Sequence, residues 1–332
     1  MERAGKNMKR KITVLTLGAT LFALCSSVNA QTGKVFRIGF LDGGTASGLT
    51  GHLKAFHQEL SKLGWIEGKN IAVEYRFAEG KPERRPKLAA ELVRLTVDLI
   101  VVTGTAAALD AKKATGTIPI LMVNPGDPVG DGLVANLARP GGNVTGFSSL
   151  SNELNTKRLE ILKDAVPKLA RVGLVTPPLP NNSQVKELRT TAVALKLKLE
   201  EIEAQPDAKG LESAFQAAKQ KQVGAIMTLT TGSIFGERKR IVELAGKYRL
   251  PAIYFQKEFV DEGGLMSYGA DYTDLYRRAA VYVDKILKST KPADLPVQQA
   301  TKFEFVINLK AAKQIDLTIP PDVLARANKV IK

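Results

Sequence analysis

Short apolar runs alternate with stretches of helical spacing along nearly the whole chain. Val35–Leu41 has the composition of a buried strand, and the apolar positions of residues 53–63 then recur every three or four residues until Gly64. Ile71–Phe77 alternates as a half-exposed strand, and a second helical stretch follows it. Leu99–Val102 and Ile118–Val123 are continuous apolar runs, as in strands buried on both faces. This order predicts an α/β protein with parallel sheets flanked by helices.

The pattern starts again after Pro140-Gly141-Gly142, with a strand at Val144–Phe147 and a helix near residues 152–166. Further strands are predicted at Arg171–Val175, Lys198–Glu203, Ala225–Leu229, Ala252–Phe255, Leu265–Ser267 and Phe303–Ile307. Further helices are predicted near Gln184–Leu195, Leu211–Gln220, Phe235–Tyr248 and Asp274–Leu287. The second half thus repeats the first in architecture.

A chain of this length exceeds what one core usually serves, so we predict two doubly wound parallel-sheet lobes. The N-terminal lobe is expected at residues 34–147, completed by part of residues 272–332. The C-terminal lobe is expected at residues 151–271, with part of residues 295–310 as a candidate addition. A hinge is expected near Ser148–Ser151, and crossings of the C-terminal tail would make it multi-stranded.

The first thirty residues have the pattern of an export signal. Met8–Lys11 is basic, Ile12–Cys25 is largely apolar, and Val28-Asn29-Ala30 is a small-residue cleavage site. The apolar run is too short to span a bilayer. A lipid anchor on Cys25 is the alternative, but Leu24 stands where that signal needs a small residue. We therefore expect a signal peptide, residues 1–30, cleaved after Ala30, and a periplasmic mature protein that has lost its single cysteine.

The chain is basic, with a net charge of +15. Removal of the signal leaves 43 basic and 32 acidic residues, a net charge of +11. Lysine and arginine are interspersed with acidic residues, as at residues 81–85 and 237–240, without interleaved aromatic residues. That pattern is typical of a solvated surface, and no nucleic-acid partner is expected.

The loops that follow the strands are the places to search for a ligand, because the carboxyl ends of parallel strands face the binding crevice. These loops are small and polar. The candidate ligand-binding residues are Asp42, Thr103, Gly104, Thr105, Asp127, Thr230, Thr231, Tyr254, Ser267 and Tyr268.

Each candidate also has a purely structural interpretation, which the sequence leaves open. Thr103–Thr105 opens a helix and offers N–H groups to an anion, although Thr105 is equally suited to capping that helix. Asp127 suits either a ligand ammonium or a helix cap, and Asp42 either a ligand contact or a turn. Tyr254, Phe255 and Tyr268 suit either stacking on a flat ligand or the core.

Enzyme signatures are weak. Neither of the glycine-rich phosphate loops occurs, and residues 146–150 miss the nucleophile elbow because Leu150 replaces its second glycine. The two histidines, His52 and His57, would point about 140° apart on a helix, so they cannot share a metal, and we expect both at the surface. No catalytic residue, metal site or cofactor is predicted.

Much of the mature chain resembles the family of ABC-transporter substrate-binding proteins that includes the tryptophan-type binding proteins, which have a type I periplasmic-binding-protein fold. The blocks that carry the resemblance are Ile38-Gly39-Phe40, residues 64–70 (GWIEGKN), 78–80 (AEG), 126–129 (GDPV), 138–146 (ARPGGNVTG), 263–269 (GGLMSYG), 276–280 (YRRAA), 292–297 (PADLPV) and 301–304 (TKFE). Gln298 and Ala300 depart from the family pattern, which often has Glu and Pro there. Residues 45–50 and 177–182 match the family pattern poorly, and we expect them to determine which ligand is bound.

The resemblance implies a periplasmic solute receptor of an ABC importer that closes two lobes on a small molecule and delivers it to an inner-membrane permease. Relatives bind aromatic amino acids, which implies Thr103–Thr105 for the carboxylate, Asp127 for the ammonium, and Tyr254 or Tyr268 for the side chain. A monomer without cofactors is expected. The alternatives are the ligand-binding subunit of a membrane sensor, or an exported hydrolase that uses Ser148 or Ser233.

Overall fold

The computed structural model describes residues 34–178 and 183–332, and the strands of these residues form two sheets, of six and seven strands. The predicted α/β fold with two mainly parallel sheets is confirmed. The predicted signal peptide and residues 179–182 lie outside the described residues.

The strands are β1 Phe36–Asp42, β2 Ile71–Phe77, β3 Leu99–Val102, β4 Ile120–Met122, β5 Val144–Ser148, β6 Arg171–Thr176, β7 Lys198–Glu203, β8 Ala225–Thr228, β9 Ala252–Tyr254, β10 Met266–Ala270, β11 Gln298–Gln299, β12 Phe303–Asn308 and β13 Lys329–Ile331. The helices are α1 Thr50–Lys62, α2 Arg85–Arg94, α3 Gly104–Ala114, α4 Ser151–Ala165, α5 Ser183–Ala194, α6 Ala208–Gln220, α7 Gly232–Gly236, α8 Arg238–Lys247, α9 Glu258–Asp261, α10 Tyr272–Leu287, α11 Leu309–Gln314 and α12 Pro321–Ala325. Most predicted elements are found within a few residues. The single helix predicted at Phe235–Tyr248 is wrong: two helices, α7 and α8, meet at Glu237 instead.

The first five strands of the two sheets follow the same order. The first sheet is β2-β1-β3-β4-β5-β11 and is parallel throughout, and the second is β7-β6-β8-β9-β10-β12-β13. In the second sheet β10 and β12 are antiparallel, while the other neighbours are parallel. In this doubly wound order the chain changes direction across the sheet between β1 and β3, and again between β6 and β8. A crevice opens at each of these switch points.

The C-terminal tail adds strands to both sheets. Gln298 of β11 pairs with Phe147 of β5, whereas β12 pairs with β10. Helix α10 packs against α1, and its Tyr282 ring lies 4.7 Å from the Phe147 ring. Residues 36–332 form one compact unit, so the boundaries of the two lobes at residues 147 and 151 stay predictions.

Burial explains why the central strands form. All four residues of β3 and all three of β4 are fully buried, as expected for parallel strands covered by helices on both faces. Several helices begin at polar caps: the Asp207 side chain accepts the Gly210 N–H, and Asp271 accepts that of Asp274. Within the described ranges, none of the helices combines the length and apolar character that a membrane span needs.

Candidate functional site

A cavity of about 270 Å³ lies where the switch points of the two sheets face each other. It is lined on one side by the loops after β1, β3 and β4, and on the other by residues that follow β6 and β8. We call Asp42, Thr103, Thr105 and Asp131 the first wall, and Ser183, Gln184 and Thr230–Ser233 the second wall. The volume is close to the lower end of the roughly 300–1,000 Å³ range of small-molecule pockets, so the cavity suits a small ligand.

Six of the ten predicted site residues line this cavity: Asp42, Thr103, Gly104, Thr105, Thr230 and Thr231. The other four do not. Asp127 turns back on its own loop, where Oδ1 accepts the Gly130 N–H at 2.8 Å. Tyr254 is buried and stacks on Phe259, with ring centroids 4.6 Å apart. For these two residues the structure favours the capping and core interpretations.

Ser267 and Tyr268 belong to β10 and also lie outside the cavity lining. The Ser267 side chain is buried, and the Tyr268 ring packs edge-on against Phe305 at 6.0 Å. Tyr268 contributes its carbonyl oxygen to the surroundings of the site, because that oxygen accepts a 2.7 Å hydrogen bond from Arg158 Nε.

Asp42 anchors the first wall at the end of β1. Its side chain is 3% exposed. Oδ1 accepts the Gly44 N–H at 2.5 Å, and Oδ2 accepts a hydrogen bond from the Thr103 hydroxyl. Burial raises the pKa of Asp42, while these two hydrogen bonds act to lower it. Both of these donors are neutral, and the charge of His52 also acts to lower the pKa of Asp42, so a cationic group of a ligand would find a carboxylate that is free to form an ion pair.

Asp131 provides the second carboxylate of this wall and contacts both sides of the cavity. Its Oδ2 accepts from the Thr105 hydroxyl at 3.0 Å, and its Oδ1 accepts from Ser183 Oγ at 3.1 Å. Burial raises the pKa of Asp131. Nearby, the Gly104 N–H donates to Asn124 Oδ1 at 2.7 Å, so the start of α3 already has one polar partner.

The second wall is backed by a buried arginine on α4. Arg158 is 1% exposed, and its Nη1 donates to Asn155 Oδ1 and, at 3.3 Å, to the hydroxyl of Thr230. Gln184 fixes the same loop, since its Oε1 accepts the Thr230 N–H and its Nε2 donates to the Thr230 carbonyl, both at 3.3 Å. Burial lowers the pKa of Arg158 to about 10, which leaves the guanidinium charged at neutral pH.

Aromatic side chains cover part of the lining. Phe235, Phe255, Tyr272 and Tyr276 all line the cavity. His52 lies among them, with its ring stacked on Tyr276 at 5.0 Å. A flat apolar group of a ligand would be bounded here by rings.

The expected surface position of His52 is wrong. The residue is 3% exposed, because α10 and α9 pack over this face of α1 and enclose the ring. Its Nε2 lies 3.2 Å from Glu258 Oε1. His57 lies one and a half turns farther along the helix and is half-buried, with Nε2 2.5 Å from the Tyr75 hydroxyl. In the described ranges no group of three His, Cys, Asp or Glu side chains is arranged to hold a metal ion.

The loop after β1 also approaches the second wall closely at a pair of glycines, Gly44 and Gly232. A Cβ added to Gly44 would lie 2.9 Å from the carbonyl oxygen of Gly232, and one added to Gly232 would lie 3.4 Å from Gly44 N. Real Cβ atoms essentially never make the first of these contacts. The loops after β1 and β8 can therefore meet at this distance only because Gly44 carries no side chain.

The sequence missed several lining residues, notably His52, Asp131, Gln184 and Tyr272. The sequence position of Asp131 could have identified it as a candidate, since it lies in the predicted loop after β4, four residues beyond Asp127. The others lie on helices, where a polar or aromatic residue is most often a surface or core position. Only the packing of α1, α5 and α10 brings them to the cavity.

Comparisons with known proteins give the cavity a context. The family model described as ABC transporter substrate binding protein matches residues 46–331. A curated protein of Clostridioides difficile (strain R20291), named tyrosine-binding protein, is 30% identical over 270 residues, which is 80% of this chain and 76% of the relative.

Two solved structures share the fold. One is an ABC domain from Streptococcus pneumoniae in complex with L-Trp, with a TM-score of 0.78 and 28% identity over 89% of this chain and 100% of that one. The other is the ligand-free, open structure of a substrate binding protein with adhesive properties from Clostridium difficile, with a TM-score of 0.61 and 25% identity over 90% of this chain and 99% of that one. A family match over more than half of the chain, with relatives of this similarity, places the cavity in a binding protein and not in an enzyme: the chain belongs to the ABC transporter substrate binding protein family.

Proposed function

We propose that this protein is the periplasmic receptor of an ABC importer for an amino acid, with an aromatic side chain favoured. Among relatives, one is named a tyrosine-binding protein and another was solved with L-Trp. The single observation that carries the proposal for this chain is the cavity itself, which combines a buried carboxylate, Asp42, and a half-buried one, Asp131, with a lining of aromatic rings.

The carboxylates of the first wall suit the ammonium group of an amino acid. Asp127 was the expected partner, but its carboxylate caps its own loop, and we propose Asp131 and Asp42 in its place. Both carboxylates accept hydrogen bonds from neutral donors, and neither forms an ion pair among the described residues, so a ligand ammonium would supply a direct cationic partner.

The ring of the ligand would pack against Phe235, Phe255, Tyr272 and Tyr276, in place of the expected Tyr254 and Tyr268. Aromatic pairs contribute about 0.5–1.5 kcal/mol beyond the area they bury. The cavity volume, about 270 Å³, supports a single small solute and not a peptide or an oligosaccharide.

The described conformation supports closure of two lobes around the ligand. The TM-score is higher against the L-Trp complex, at 0.78, than against the ligand-free, open structure, at 0.61. The Gly44 and Gly232 contact and the hydrogen bond from Ser183 to Asp131 both join the two walls. The closed protein would then present both lobes to an inner-membrane permease, after export directed by residues 1–30.

Isothermal titration calorimetry of the purified protein with L-tyrosine, L-tryptophan, L-phenylalanine, L-leucine and D-glucose tests the proposal. We expect binding of at least one aromatic amino acid, weaker binding of L-leucine, no binding of D-glucose, and recovery of the bound compound unaltered. Binding of the sugar alone would refute the amino-acid assignment, and conversion of the compound would favour the hydrolase alternative. Loss of uptake of the same compound on deletion of the gene tests delivery to a permease.

A further inference from the structure

The buried guanidinium of Arg158 has no acidic partner. Among residues 34–178 and 183–332, no carboxylate oxygen lies within 4.0 Å of it. Residues 179–182 are Leu, Pro, Asn and Asn, so they add no acidic side chain. The hydrogen-bond partners of Arg158 are a backbone carbonyl, an amide oxygen and a hydroxyl, all of them neutral.

A buried guanidinium in that position lowers the stability of the fold unless a negative charge compensates it. Arg158 is 1% exposed, and arginine is almost never fully buried without a counter-charge. The nearest opening is the cavity, because Thr230 both lines it and accepts a hydrogen bond from Arg158 Nη1. An anionic group of a bound ligand would lie one hydroxyl away from the guanidinium.

The Thr230 hydroxyl of the second wall is oriented differently from the Thr103 and Thr105 hydroxyls of the first wall. Thr103 and Thr105 donate their hydrogens to Asp42 and Asp131, so neither hydroxyl is available as a donor to a ligand. Thr230 accepts from a cation, and its hydroxyl makes no hydrogen bond to an acceptor among the described residues, so its hydrogen is available to the cavity. The second wall thus offers a donor polarised by a positive charge.

We propose that Arg158 is a positioning residue that selects a ligand carboxylate by polarising the Thr230 hydroxyl, which donates to that carboxylate. The inference rests on the proposed function and reverses the expected orientation, in which Thr103–Thr105 received the carboxylate. The ammonium group then faces the first wall and the carboxylate faces the second.

Calorimetric titration of three related compounds tests this assignment. L-Tyrosine carries both charged groups, 3-(4-hydroxyphenyl)propanoate lacks the ammonium, and tyramine lacks the carboxylate. Thr230→Val keeps the shape of the side chain but removes the hydroxyl. We expect it to weaken the binding of both carboxylate compounds about tenfold or more and to leave the affinity for tyramine unchanged. Thr230→Ser is the matched control, because it keeps the hydroxyl and should stay close to the wild type. Arg158→Lys keeps a cation and should preserve the order of preference.

Two results would mean that Thr230 acts by packing alone and would overturn the inference. In the first, Thr230→Val loses as much affinity for tyramine as for the two carboxylate compounds. In the second, Thr230→Ser loses as much affinity for the carboxylate compounds as Thr230→Val does. Wild-type protein that binds tyramine as tightly as L-tyrosine would overturn it while leaving the amino-acid proposal standing. Binding of the propanoate without L-tyrosine would refute the amino-acid proposal and support the role of Arg158. Binding of none of the three would overturn both.

Discussion

Replacement of Gly44 by alanine is expected to weaken ligand binding by keeping the loops after β1 and β8 apart. The added Cβ would lie 2.9 Å from the Gly232 carbonyl oxygen and 3.1 Å from Asp42 Oδ1. The first neighbour is backbone and cannot rotate away. The loops after β1 and β8 must therefore separate, and the two walls no longer reach the distance at which both contact one small ligand.

The size of the effect follows from the cost of overpacking, about 1–3 kcal/mol for a carbon forced into a close-packed contact. If the contact exists only in the closed protein, the whole cost appears in the dissociation constant, which would rise about 5- to 150-fold. Calorimetric titration with the aromatic amino acid that binds the wild type measures this rise. On the same condition, the melting temperature of the ligand-free protein should change little, apart from the effect of the 3.1 Å contact between the added Cβ and Asp42 Oδ1.

Gly51→Ala is the matched control. Gly51 lies in the first turn of α1, and a Cβ there meets nothing within 4 Å. Alanine should leave the dissociation constant unchanged and stabilise the helix by up to about 1 kcal/mol. If Gly44→Ala binds the ligand as tightly as Gly51→Ala, the close approach of the two glycines does not limit closure and the reasoning fails.

Three further substitutions test individual contacts. Asp131→Asn removes the charge proposed to face the ligand ammonium and should weaken binding about tenfold or more by calorimetry; unchanged affinity would exclude Asp131. Burial raises the pKa of Asp42, so its ionised form costs stability in the fold, and Asp42→Asn should raise the melting temperature at neutral pH. That gain should shrink as the pH falls through the raised pKa towards the ordinary aspartate range, and a gain independent of pH would contradict it. Burial acts to raise the pKa of Glu258, but His52, whose Nε2 lies 3.2 Å from Glu258 Oε1, holds it below the ordinary value. Glu258→Gln should therefore lower the melting temperature at neutral pH and have no effect at a pH below the lowered pKa, and equal melting curves at neutral pH would refute this pairing.

The fold followed from the sequence because its elements are set by local periodicity. Strands such as Leu99–Val102 are continuous apolar runs, and the helices between them repeat at 3.6-residue spacing. Short elements escaped prediction. The two-residue strand β11 is exposed and polar, and its pairing with β5 depends on the return of the tail and not on its own composition.

The site was predictable only as far as topology decides it. The rule that ligands lie at the carboxyl ends of parallel strands correctly brought Asp42, Thr103 and Thr230 to one cavity. It did not distinguish Asp127 from Asp131, because the turn of that loop decides which carboxylate faces inward. Arg158 gave no signal at all, since an arginine in the third turn of a helix is normally solvated, and only tertiary packing buries it.

Division of the two charges between the walls ties selectivity to closure. A ligand that contacts one wall binds the open and closed states equally well and shifts nothing between them. A zwitterion that reaches Asp131 on one side and Thr230 on the other gains its second charged contact only when the walls meet. Saturating L-tyrosine should therefore reduce the radius of gyration measured by small-angle X-ray scattering, whereas saturating tyramine should leave it close to that of the free protein. Equal compaction by both compounds would mean that the ring alone drives closure and that the carboxylate contributes affinity without a conformational preference.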